Sequence, residues 1–143
     1  MVNVSIHNLK SCLFIIKPQT LKAIKRSPDP SYVSLGDTLV LNVTYTYSGT
    51  DSRVGVRWRH NKTKLYERGR LGGVDKVDSR TSVLGQATLV LHNTELHDNG
   101  TYSVEFIPAI GDDVFQTFTV FIKGKNFIEP KRAKKSFPSV FAQ

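Results

Sequence analysis

The chain has 143 residues, with 20 Lys and Arg against 12 Asp and Glu, a formal net charge of +8 and a pI near 9.7. That length has room for one domain with a real core, and 39% hydrophobic residues exclude a wholly disordered or fibrous chain. The best apolar run, residues 12–16, falls short of the roughly 18 residues a membrane helix needs, and a single cysteine, Cys12, excludes an intrachain disulfide or a cysteine-built metal site.

The charge is unevenly placed. Residues 1–28 carry five basic side chains and no acid, and residues 123–143 carry six basic against Glu129 alone. Residues 29–122 hold nine basic and eleven acidic groups. The basic character therefore belongs to two flanks around a nearly neutral domain.

Along the chain, the flank 1–28 mixes apolar and basic residues without periodicity and ends at the breaker Ser27-Pro28-Asp29-Pro30. Leu39, Leu41, Val43 and Tyr45 then alternate with Val40, Asn42, Thr44 and Thr46, the period of two that predicts a strand. A loop at 48–51 precedes a second alternation, Val54, Val56 and Trp58 against Gly55, Arg57 and Arg59. A short strand is predicted at 64–66 and a glycine-rich loop at 69–73. Strands at 81–83, 87–91, 101–107 and 114–122 complete the series, and the tail 123–143, with Pro130 and Pro138, reads as a mobile linker. Seven to nine strands at even spacing, with no helical segment among them, predict an all-β sandwich.

One constellation is more specific. Trp58 lies mid-strand, Asp98-Asn99-Gly100-Thr101-Tyr102 has the form of a tyrosine corner, Leu89 and Leu91 precede it, and residues 36–43 lead into the first core strand. Over residues 29–122 the chain resembles the immunoglobulin superfamily, most closely its V-set, and the resemblance implies a Greek-key sandwich. Val43 and Val104 stand where that family carries its inter-sheet cysteines, 61 residues apart. Two valines packed on Trp58 would replace a bridge whose loss typically costs about 2–5 kcal/mol. The resemblance also implies that Arg80 pairs with Asp98 beneath the sandwich.

The family's usual contact surface is the sheet that holds the Trp58 strand and the last two strands. Strand parity places Arg57, Arg59, Glu105 and Phe115 outward there, and Tyr66 is expected to join them. Aromatic and Arg anchors among charges suit a protein partner. Reversing Arg57 and Arg59 to Glu is accordingly expected to weaken binding and leave folding intact.

Asn42, Asn61 and Asn99, with Asn3 in the flank, begin Asn-x-Ser/Thr sequons, which favour an extracellular or cell-surface setting. His92 and His97, and the neighbours Asp112 and Asp113, read as solvated turn residues. No nucleophile elbow, phosphate loop or zinc-protease motif occurs. The expectation is a non-catalytic recognition or adhesion module needing no cofactor and no metal, with a homophilic or heterophilic protein partner. Two rivals are polyanion binding, to heparin-like glycan or nucleic acid, through the basic arms (residues 131–135 above all), and an intracellular structural immunoglobulin-like domain.

Overall fold

The computed structural model describes residues 19–124. Expectations on residues 1–18, including Cys12 and the Asn3 sequon, and on the tail from residue 125 lie outside the described residues.

Eleven strand segments run in chain order: β1 (Leu21–Lys25), β2 (Ser31–Ser34), β3 (Leu39–Leu41), β4 (Val43–Tyr47), β5 (Gly55–His60), β6 (Thr63–Arg68), β7 (Val74–Lys76), β8 (Thr81–Leu84), β9 (Thr88–Leu91), β10 (Gly100–Ile107) and β11 (Val114–Lys123). A single 3-10 turn, Leu96–Asp98, joins β9 to β10. Six strands form one sheet in the order β2-β11-β10-β5-β6-β7, antiparallel except that β2 runs parallel to β11. The facing layer is β3-β9-β8, with β1 paired to β4.

β3 and β4 are two halves of the first predicted alternation, divided at Asn42. The backbone there turns to the incoming chain: Arg26 and Ser27 N–H groups donate to the Asn42 carbonyl, and Ser27 Oγ accepts from Asn42 N–H. Side-chain parity nevertheless holds across the break, with Leu39, Leu41 and Val43 all buried. Upstream, Leu21–Lys25 pairs residue for residue with β4, from Leu21 opposite Tyr47 to Lys25 opposite Val43. The sandwich thus takes up a strand that the sequence reading assigned to the basic flank 1–28.

The inner faces carry Leu41, Val43, Val56, Trp58, Leu89, Leu91, Tyr102, Val104, Phe106, Phe118 and Val120, all at most 1% exposed. Val43 and Val104 lie in one core cluster with Trp58. The indole Nε1–H donates to the Ala87 carbonyl at 3.1 Å, so the core's largest side chain leaves no polar atom unpaired. The chain crosses between layers five times, last from β9 to β10. At that last crossing the Tyr102 hydroxyl donates to the Asp98 carbonyl at 2.6 Å, and burial pushes that phenol's pKa up.

Gly100 begins β10 at φ +133°. The dihedral favours glycine, and a Cβ at that position would also press on the Asn61 side chain within 3 Å and push it from its place against β10.

Candidate recognition face

The outer surface of the six-stranded sheet is built from the alternate residues of β5, β6, β10 and β11. Glu105 on β10 stands opposite Arg57 on β5, and Ser103 opposite Arg59, because the β10–β5 pairing is unbroken. Glu105 Oε1 accepts from Arg57 Nη1 at 2.9 Å and from Arg59 Nη1 at 3.0 Å. Arg57 Nη2 reaches the other way to Glu67 Oε2 at 3.0 Å, and Lys64 Nζ bridges Glu67 and Asp75 at 3.1 and 2.9 Å. Opposite charges thus alternate across four strands, β10, β5, β6 and β7.

Glu105 is only 7% exposed, unusual for a carboxylate on an outer face. Burial alone would raise its pKa. A hydrogen bond shared with Asp113 and the guanidinium groups of Arg59 and Arg57 outweigh that and hold it below the usual range. Asp113 is shifted the opposite way, upward, first by that same hydrogen bond and then by burial and the Glu105 charge.

Tyr66 is not on this face. It is 6% exposed and belongs to the core, which corrects the expectation that it joins the contact surface. The reason is a β-bulge: Trp58 pairs with Tyr66 but Arg59 pairs with Lys64, leaving Leu65 as the extra residue. Strict alternation from Lys64 would aim Tyr66 outward. The bulge turns Leu65 and Tyr66 both inward and brings Lys64 and Glu67, three residues apart, onto the same outer face. Those two residues complete the ladder and were missed in the sequence, where residues 63–68 show no clean period.

Phe115 lies directly opposite Glu105 on β11 and is 55% exposed. Nearby at the same end, a groove of about 460 Å³ is lined by Gly55, Arg57, Glu67, Arg70, Leu71 and Ile107, with Leu71 75% exposed. An apolar rim therefore borders the charged ladder.

Below the sandwich, Arg80 Nη1 and Nη2 donate to Asp98 Oδ2 and Oδ1 at 2.8 and 2.9 Å, a bidentate pair. Arg80 also holds Asp78 at 3.0 Å and donates to the Asn93 carbonyl. Burial would raise the Asp98 pKa, but the Arg80 guanidinium and the Glu95 N–H together hold it below the ordinary range. The pair locks the turn from which Tyr102 is set.

The three sequons within the described residues differ. Asn99 Nδ2 donates to the Leu96 carbonyl and its Oδ1 accepts from Ile122 N–H, both at 2.7 Å. Asn61 Oδ1 accepts from Thr101 N–H, fastening the β5–β6 turn to β10. Asn42 Oδ1 accepts from Thr88 Oγ1, while its side-chain Nδ2 makes no hydrogen bond among the described residues.

No family model and no curated protein matches the chain. Solved structures do. The human B7-H4 IgV-like domain aligns with a TM-score of 0.53 at 20% identity, covering 74% of this chain and 96% of that one. The V domain of amphioxus IgVJ-C2 gives 0.53 at 14% identity, over 64% and 97% of the two chains. The two tandem V-type regions of VCBP3, a v-region-containing chitin binding protein, give 0.57 at 15% identity, over 72% of this chain and 46% of that one. At such identities the likeness is one of fold. The fold is that of an immunoglobulin V-type domain.

Proposed function

We propose that this chain is a non-catalytic recognition or adhesion module that docks a protein partner on the outer face of its six-stranded sheet. The observation that carries the reading is the pairing of Phe115 with Glu105 beside the Arg57–Arg59 ladder. An exposed aromatic ring supplies buried area on docking, and charges already held in place set orientation with little further loss of side-chain entropy. The V-type fold supports the same reading, since domains of this architecture commonly serve protein–protein recognition. A setting at the cell surface or in secreted material is supported by the sequons, Asn42 above all.

The test is adhesion of beads coated with the chain, to one another and to cells, for wild type and Phe115→Asp. Wild-type adhesion lost in a variant of unchanged melting temperature supports the face. Equal adhesion by the variant places docking elsewhere. The Arg57→Glu/Arg59→Glu double variant suggested by the sequence is a poor probe, because both arginines neutralise a nearly buried carboxylate.

A further inference from the structure

At the end of the sheet away from Leu71, a separate groove of about 630 Å³ is lined by Arg59, Asn61, Lys62, Thr101 and Ser103. That lies within the roughly 300–1,000 Å³ of small-ligand sites. The lining holds two cations, two hydroxyls and an amide, with no carboxylate and no apolar side chain. Lys62 makes no ion pair among the described residues. Arg59 gives Nη1 to Glu105 and keeps Nη2 and Nε for another acceptor.

The groove is also built rather than incidental. Asn61 and Lys62 form the two-residue turn between β5 and β6, both at positive φ (47° and 80°). Asn61 N–H donates to the Thr101 carbonyl at 2.8 Å, and Thr101 N–H donates back to Asn61 Oδ1 at 2.9 Å. The backbone carrying Lys62 is thereby pinned to the β10 strand that carries Thr101 and Ser103, and Ser103 sits opposite Arg59 in register.

A groove whose polar groups are cations, hydroxyls and an amide, and whose remaining surface is the aliphatic carbon of those same side chains, suits a small polyhydroxylated anion: the charges take its anionic group, the hydroxyls its hydroxyls and the carbon stems the C–H face of its ring. We propose that this groove binds an acidic saccharide, with a sulfate or carboxylate between Arg59 and Lys62 and ring hydroxyls on Thr101 and Ser103. The inference goes beyond protein docking at Phe115 and shares only Arg59 with it.

The experiment uses the full chain, titrated with a sulfated heparin disaccharide, its desulfated carboxylate-only counterpart, and neutral lactose. Amide shift changes are read by NMR and affinities by calorimetry. The expected result is shifts centred on Lys62, Thr101 and Ser103. Lys62→Ser and Arg59→Gln should each weaken binding about tenfold, the order of one lost charge-assisted bond. Serine at Lys131, Arg132, Lys134 and Lys135 together should leave affinity unchanged. Whichever acidic disaccharide binds more tightly identifies the anionic group. The proposal is overturned if neither acidic sugar binds, if lactose binds equally, or if the tail substitutions abolish binding that Lys62→Ser leaves intact. Phe115→Asp should retain saccharide binding, so failure of protein docking reads out separately.

Discussion

Phe115 stands directly across the β10–β11 pair from Glu105, so an exposed aromatic ring sits beside the one buried carboxylate of that sheet. The two residues divide the work of the face. Glu105 gathers Arg57 and Arg59 and fixes the ladder; Phe115 offers area that nothing among the described residues covers by burial.

That division gives the first prediction. Arg57→Glu with Arg59→Glu surrounds Glu105 and Glu67 with like charge and removes every guanidinium from Glu105. Breaking a buried pair from one side costs about 3–5 kcal/mol; partial exposure of these arginines brings the expected loss nearer 2–3 kcal/mol. Urea unfolding of the variant should show it, where the sequence alone led to the expectation of an unperturbed fold.

A second prediction concerns the valines. If Val43 and Val104 occupy the bridge positions of the sandwich, Val43→Cys with Val104→Cys should oxidise spontaneously and add about 2–4 kcal/mol over its reduced form. Mass spectrometry of the intact chain and melting with and without reductant check this. Cys12 is replaced by Ser in that variant to keep the pairing unambiguous.

The third is a pH dependence. Asp98 is lowered in the folded state relative to the ordinary carboxylate, so its contribution to stability is present above about pH 4 and lost as pH falls through the folded value. Asp98→Asn should therefore destabilise the protein at pH 7, by roughly 3 kcal/mol, and flatten the fall in stability below pH 4. Denaturant midpoints measured between pH 7 and pH 2 decide it.

The fourth separates the sequons. Expressed in a secretory host, the chain should carry glycan at Asn42, whose side-chain Nδ2 is unengaged among the described residues. Asn99, whose amide is bonded at both ends, should remain unmodified in the folded product. Peptide mapping after glycosidase treatment reports each site.

Trp58, Tyr102 and the two valines were legible because they lie on strands buried on one face, where alternation is enforced by the core; Asp98, in the turn before β10, was legible from its spacing to Gly100 and Tyr102. β7 was not, since all three of its residues are exposed and carry no hydrophobic period. β1 was obscured in a different way: only Leu21 is fully buried, and its lysines made it look like part of a basic arm. Tyr66 shows the limit of parity. One extra residue at Leu65 reverses every later assignment on β6, and the bulge leaves no mark in composition. The ladder from Glu67 through Lys64 to Asp75 depended on that bulge and so appeared only in three dimensions.

Docking of a protein on the six-stranded face through Phe115 is decided by adhesion of chain-coated beads, compared for wild type and Phe115→Asp at matched folding. Wild-type beads should adhere, and the variant should lose adhesion with an unchanged melting temperature. Undiminished adhesion by Phe115→Asp would rule Phe115 out as the docking residue.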